Sequence, residues 1–323
     1  MGFQVICLGA VNVDLLYEVA DLEIFLKIWP QLEPGGEVAL DPEAEVRLQG
    51  LLGRHARPAG RHGGGQAANT AFALACMGMQ VALVGRVGAD ADGVFLKDSL
   101  AGVNLDYLVS EGVSGRAYVL LDSRGERTIL VAPNTNDDLK QQDIPWEALA
   151  AARFVHLTSF VGQGPFLLQE EVARRLEGGP RLSFDPGELY ARRGWPGLER
   201  ILDYTETLLV TEREWELLGG DLEQHPYWAP PLILIKRGPK GARLLTPVRF
   251  LDFHAGPVSG LVDTLGAGDV FAAGYLAGRL NGLNLPGCVR LAGWAAAYKL
   301  SGPGRERYPD RRFLEKVLRE LRY

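Results

Sequence analysis

The 323-residue chain is 47% hydrophobic, enough to bury the core of one large α/β domain or two small ones. Its net charge of -6 supplies no basic field of the kind that draws proteins to phosphate backbones or anionic lipid, which argues against nucleic acid and membranes as partners. Cys7, Cys76 and Cys288 are far apart, odd in number and free of CxxC spacing, so they suggest neither a disulfide framework nor a zinc site and fit a reducing cytoplasm.

The amino terminus has no basic segment before its first apolar run, which Asn12 and Asp14 interrupt, so it does not read as a signal peptide. No later segment is apolar for long enough to span a bilayer, and a soluble, cytoplasmic protein is expected. Short β-rich runs then recur along the chain: Val5 to Leu8, Val81 to Val84, Phe154 to Leu157, Leu182 to Phe184, Leu208 to Val210 and Leu232 to Ile235. Segments of helical period, such as Ala67 to Met77, Phe166 to Leu176 and Glu212 to Leu218, lie between several of them. This alternation predicts a largely parallel sheet covered on both faces, with ligands at the carboxyl ends of its strands.

Two regions break the pattern. Within residues 14–62, Asp41 followed by Pro42 and a later Gly53 predicts a short inserted helix that starts at an N-cap and stops at the glycine. The runs Tyr118 to Leu121 and Thr128 to Val131, around Ser123-Arg124-Gly125-Glu126, read as a projecting hairpin. No internal repeat or linker divides the chain, so residues 1–323 are expected to form a single domain.

The sharpest feature is Asp263-Thr264-Leu265-Gly266-Ala267-Gly268-Asp269, leading into a helix rich in small residues. A glycine turn opening a helix leaves outward N–H groups at the positive end of the dipole, which together make an anion hole. Phosphoryl transfer also needs a base for the attacking hydroxyl's proton, and Asp269 stands at the mouth of this turn. Taken alone, the turn equally admits an aspartate that merely caps a helix whose glycines serve packing.

A second glycine-rich helix entry, Gly63-Gly64-Gly65-Gln66-Ala67-Ala68-Asn69, lets a substrate approach the backbone, and Asn69 offers it both donor and acceptor. After the first strand come Asn12 and Asp14, where a carboxylate can accept from sugar hydroxyls; ordinary turn chemistry is the alternative. Lys236-Arg237-Gly238-Pro239-Lys240-Gly241 follows a strand and, by itself, is a tight turn.

Together these segments resemble the PfkB/ribokinase family of small-molecule kinases. The stretch from Gly63 to Gly93 resembles the first family signature, and Asp263 to Phe271 resembles the second, DTxGAGDxF. The resemblance implies a ribokinase-like α/β three-layer sandwich, with a mostly parallel central sheet and a small β lid from about 14–62 and 112–132. It implies Asp269 as base, Gly266, Ala267 and Gly268 as the anion hole, and Asn12, Asp14, Gly64, Gly65 and Asn69 as acceptor-substrate residues. It further implies ATP bordered by Lys236, Gly238, Gly241 and Thr264, magnesium associated with Glu214, a monovalent cation near the loop after Asp263, and a homodimer through the lid. The segment Leu291 to Arg305 resembles the part that wraps the adenine.

Two positions depart from the family. Thr211 stands where an asparagine precedes the acid matched by Glu214, and Thr158-Ser159 replaces a glutamate found in ribokinases, which weakens ribose as substrate. A nucleoside kinase is the alternative activity, with Trp29 or Phe25 as a wall for the base. A noncatalytic sugar- or nucleotide-binding regulator is the alternative outside enzymes; retention of Asp269 and the whole turn speaks against it. A dehydrogenase would need GxGxxG after the first strand, and a P-loop enzyme GxxxxGK[ST]; neither is present. The five histidines lack paired metal spacing, Arg305 to Arg312 reads as a solvated face, and Asp185-Pro186-Gly187 suits a turn as well as a substrate contact.

Overall fold

The run Val5–Leu8 forms a strand, β1, with every side chain buried, as a strand covered on both faces requires. The computed structural model describes residues 2–122, 127–222, 230–258 and 260–321. Strands β2 (Asn12–Val19), β3 (Glu37–Ala39) and β4 (Ala56–Gly64) follow, then β5 (Val81–Val87), β6 (Leu108–Ser110), β7 (Gly115–Leu121) and β8 (Arg127–Ala132). The second half contributes β9 (Phe154–Thr158), β10 (Arg181–Asp185), β11 (Thr207–Thr211), β12 (Leu232–Lys236), β13 (Ala242–Thr246) and β14 (Arg249–Phe253).

A nine-stranded sheet runs in the order β14-β13-β12-β11-β10-β9-β1-β5-β6. Every pairing from β6 to β12 is parallel, and β13 and β14 add an antiparallel edge. Alternation along β1 divides the core. Val5 and Cys7 join the helices Gln66–Cys76, Ala267–Leu280 and Leu285–Lys299, while Ile6 and Leu8 join Gln163–Arg175 and Gly194–Leu202 on the other face. The carboxyl ends of β1, β9, β10, β11 and β12 consequently open on one side of the sheet.

The chain passes from β1 directly into β2, the first strand of a separate five-stranded lid ordered β3-β8-β7-β2-β4. Lid and layers match the fold expected from the resemblance. Between β2 and β4, Asp41 caps a helix over Pro42–His55 by accepting from the Ala44 N–H at 2.7 Å, with Pro42 at its first position. Gly53 does not stop this helix. It lies inside the final turn, in open space, and the helix ends at His55, where the chain turns into β4. Leu48, Leu51 and Leu52 pack with Phe25, Trp29, Tyr118, Leu120 and Leu130 over the outer face of the lid. The insertion is thus the lid's own hydrophobic backing. Strands β7 and β8 pair antiparallel up to Leu121 opposite Arg127, as the hairpin reading requires; its tip, residues 123–126, lies outside the described residues.

Candidate active site

Alternation in β2 that sends Leu15 and Val19 outward directs Asn12 and Asp14 inward, toward the sheet's carboxyl edge. There they line a cavity of about 260 Å³, with Gly65 and Asn69 from the first glycine turn and Gly266 and Asp269 from the second. Gly64 pairs with Asn12 rather than lining the cavity. A Cβ on it would lie 2.0 Å from Asp14 Oδ1, so the missing side chain makes room for the carboxylate.

Gly266 adopts a left-handed conformation (φ 75°) as N-cap of the helix Ala267–Leu280. Among the described residues the N–H groups of Gly266 and Gly268 make no hydrogen bond, whereas that of Ala267 already donates to the Thr264 carbonyl at 3.2 Å. Ala267, expected among the anion-hole donors, therefore has its amide engaged within the turn itself. Asp269, in the first turn of the helix, is 8% exposed. Its Oδ2 accepts from Asn69 Nδ2 at 2.8 Å. Burial pushes its carboxyl up to about 7, against the Asn69 hydrogen bond and Lys236, which favour the anion. Asp14 is likewise raised to about 7 by burial, opposed by Arg305 and Arg127.

Asn69 is itself held from behind. Its Oδ1 accepts from Arg305 Nε at 3.1 Å and Nη2 at 2.9 Å, and Arg305 also donates to Ser99. The reading of Arg305 to Arg312 as a solvated face fails at its first residue: Arg305 stacks over Phe72, and burial lowers its pKa. The chain reaches this place between a buried Gly304 and a buried Tyr308 and Pro309.

At the end of β12, Lys236 Nζ donates to Asp185 Oδ2 at 2.6 Å. Burial pulls the lysine down, but Asp185 and Glu214 outweigh it and hold its pKa up. Asp185 is 1% exposed and lies at the end of β10, so it is a buried ion-pair partner as well as a turn residue. Glu214 lines the cavity, and burial raises its carboxyl against the pull of Lys236. Thr211 and Glu214 form a reciprocal capping box: Thr211 N–H donates to Glu214 Oε2 at 2.7 Å, and Glu214 N–H to Thr211 Oγ1 at 3.2 Å. Here the threonine orients the acid.

Behind the glycine turn lies a second cavity, about 420 Å³ and largely apolar, bordered by Lys236, Gly238, Gly241, Thr264, Ala267 and Gly268. Phe253, Val289, Gly293, Ala296, Ala297 and Leu300 form its walls, within and beside the Leu291 to Arg305 segment expected to wrap an adenine. Asp269 faces the first cavity and Gly268 the second, so the turn divides the two.

Asn136 and Glu37 had no signal in the sequence, whereas Ser159 was marked there as a departure from ribokinases. Asn136 donates to Asn12 Oδ1 at 2.8 Å and clamps the Val11 backbone with both ends of its amide; it follows the lid hairpin in an unremarkable loop. Ser159 donates to Gln66 at 3.1 Å and lines the first cavity in place of the ribokinase glutamate. Glu37, brought in by the lid edge, is raised to about 7 by burial and by its neighbours Glu188 and Glu214. Phe25 and Trp29, by contrast, are buried in the lid's outer core and do not border the cavity. His156 sits in the core beside Ser183, with burial holding it at about 4; His254 borders the second cavity; His225 lies outside the described residues. Among the described residues no cluster of His, Cys, Asp and Glu is arranged to hold a metal by itself, and no helix is long and apolar enough to cross a membrane.

Comparison with known proteins places the chain in a family. The pfkB family carbohydrate kinase profile matches residues 41–309. An uncharacterized sugar kinase of Archaeoglobus fulgidus is 34% identical over 69% of this chain and 92% of its own. An ATP-dependent ribose-1-phosphate kinase of Halopiger xanaduensis is 32% identical over 73% of this chain and 76% of its own, and the ribokinase of Bacillus subtilis 29% identical over 79% and 87%. Among solved structures, adenosine kinase from Sinorhizobium meliloti superposes with a TM-score of 0.84 over 99% of both chains at 19% identity. Arabidopsis thaliana ribokinase, complexed with ribose and ATP, superposes at 0.76 over 98% of this chain and 99% of its own at 23% identity. These likenesses fix the fold as ribokinase-like. By profile and by sequence, the chain belongs to the pfkB family of carbohydrate kinases.

Proposed function

We propose that this kinase transfers the γ-phosphoryl group of ATP to a hydroxyl of a neutral sugar or sugar-like polyol, with Asp269 as general base. The observation that carries the reading is the position of Asp269 on the wall between a polar cavity and a largely apolar one, beside free amides at a helix N-terminus. The acceptor sits among Asn12, Asp14, Gly65 and Asn69, with Gly64 giving Asp14 its room. Its hydroxyl oxygen attacks the γ-phosphorus, its proton passes to the Asp269 carboxylate, and the bond to the ADP oxygen breaks. The amides of Gly266 and Gly268 receive charge from the transferring oxygens; Ala267 contributes its place in the turn.

ATP takes the apolar cavity, its phosphates directed along Lys236, Gly238, Gly241 and Thr264. Magnesium would enter with those phosphates, and Glu214, oriented by its capping box and with Glu37 and Glu188 in the same cavity, is the carboxylate that would hold it, directly or through water. The ion would neutralise charge between the phosphates.

A cavity of about 260 Å³ lies just below the usual range for ligand pockets, about 300–1,000 Å³, and suits a monosaccharide better than a nucleoside. One observation favours the nucleoside reading: Ile129, Val131, Phe160 and Leu189 give the same cavity an apolar side. ADP release measured with magnesium across neutral sugars, sugar acids, nucleosides and inositols separates the two. Turnover with nucleosides alone would overturn the sugar assignment, and binding without turnover on any acceptor would favour a noncatalytic regulator.

The central sheet and lid are read as one kinase unit working in the cytoplasm, in keeping with free thiols at Cys7, Cys76 and Cys288. The lid's outer face is covered by the chain's own helix Pro42–His55, so a lid-mediated dimer would have to join along the edges β3 or β4.

A further inference from the structure

The family resemblance calls for a monovalent cation at the loop after Asp263, and the groups present there do not fit one. Lys299, last residue of the helix Leu285–Lys299, has a side chain with 0% exposure. Its Nζ donates to the Asp263 carbonyl at 3.0 Å and to Asp263 Oδ2 at 2.7 Å. Those are the oxygens that a bare cation on this loop would need.

The rest of the Asp263 carboxylate is also taken. Oδ2 accepts the Gly304 N–H at 2.8 Å; Oδ1 accepts the Leu265 N–H at 2.9 Å and a guanidinium N–H of Arg127 from lid strand β8. The backbone N–H groups of Val262 and Asp263 both donate to the Leu300 carbonyl, at 2.8 and 3.3 Å. With Arg127 and Lys299 both on this carboxylate, a third positive charge within a few ångströms would meet repulsion from both in a water-poor place. A cation at the end of a helix, by contrast, is favoured by the helix dipole.

We propose that the ammonium of Lys299 is the built-in cation of the catalytic turn, so that this kinase needs no added monovalent cation. It acts as a positioning residue. By fixing the carbonyl and carboxylate of Asp263, it sets the backbone that leads three residues later to Gly266 and its outward amides. This inference rests on the proposed role of that turn as the seat of the transferred phosphate.

The test is ADP release at saturating acceptor and magnesium-ATP, with ionic strength held constant by choline chloride and potassium or ammonium chloride exchanged in. The parent should change by less than about twofold, whereas Lys299→Met should lose roughly tenfold or more in kcat, the scale of one charged contact. Lys299→Ala, which leaves a hole of the right size, should regain rate with potassium, ammonium or methylammonium; Lys299→Met, whose side chain fills the space, should not. A purely structural lysine would give no such split.

Tenfold or greater activation of the parent by potassium, or Lys299→Met turning over like the parent, overturns the proposal. The parent's cation titration needs no variant to fold. Failure of the kinase reading itself would look different: no ADP release from the parent under any salt.

Discussion

Asn69 Nδ2 donates to Asp269 Oδ2 at 2.8 Å, and Arg305 fixes the direction of that donation by binding the other end of the same amide at 2.9 and 3.1 Å. A guanidinium offers donors only, so the amide oxygen must face it and the NH2 must face the carboxylate. The hydrogen bond lowers the pKa of Asp269 against a burial effect that raises it to about 7. Removing it should therefore raise the pKa further. Asn69→Leu should move the acid limb of the kcat/KM profile to higher pH than in the parent, where it is expected near 7, and lower the plateau rate. Arg305→Met should shift the limb in the same direction by freeing the amide to rotate. An acid limb at the parent's pH in both variants would refute this coupling.

The same burial bears on stability. A carboxyl with an unfolded pKa of about 3.9 and a folded value of about 7 takes up protons on folding between those limits. Its stabilising contribution is fully present below the lower value and is lost as pH rises through the upper one. Asp269→Asn removes that liability. The variant should melt higher than the parent at pH 8, with the difference disappearing near pH 4; equal melting at pH 8 would contradict it.

Lys236 and Asp185 are 11% and 2% exposed at the side chain and lie 2.6 Å apart. Breaking such a buried pair from one side costs about 3–5 kcal/mol, because the remaining charge is stranded. Lys236→Met should be destabilised on that scale in urea unfolding, and Lys236→Met combined with Asp185→Asn should recover part of the loss. A double variant no more stable than Lys236→Met alone would show that the pair is not coupled.

Gly293 offers a probe of the second cavity that leaves the turn untouched. It lines that cavity within a helix, and a Cβ added there meets nothing within 4 Å. Gly293→Leu should extend into the nucleotide space and raise KM for ATP by roughly tenfold, about 1.4 kcal/mol, with the acceptor KM unchanged. An unaltered ATP KM would place the nucleotide elsewhere.

Six of the nine central strands, the lid hairpin and the helices behind both glycine turns were legible because each rests on local signals, whereas β6, β13 and β14 were not read. Period-two burial, a capped helix start and glycines at positive φ are written in neighbouring residues. The helix Pro42–His55 was found from its cap, but its end was misread because Gly53 has open space around it and nothing there requires a stop. Arg305 was missed for the opposite reason. Its partners Asn69 and Ser99 lie more than 200 residues away, and only the tertiary fold turns a charged run inward. Phe25 and Trp29, offered as a wall for a base only under the nucleoside alternative, cover the lid's outer face, and aromatic composition gives no sense of which face of a sheet a side chain covers. Asn136 carries ordinary loop sequence, and its role exists only where strand ends converge.

The most direct measurement compares Asp269→Asn with the parent in ADP release and, in parallel, in calorimetric binding of acceptor and ATP. General-base contributions are about 10²–10⁴-fold, so kcat should fall by a hundredfold or more while both dissociation constants stay within about threefold. Turnover close to the parent's, with binding intact, would mean that the proton leaves by another route.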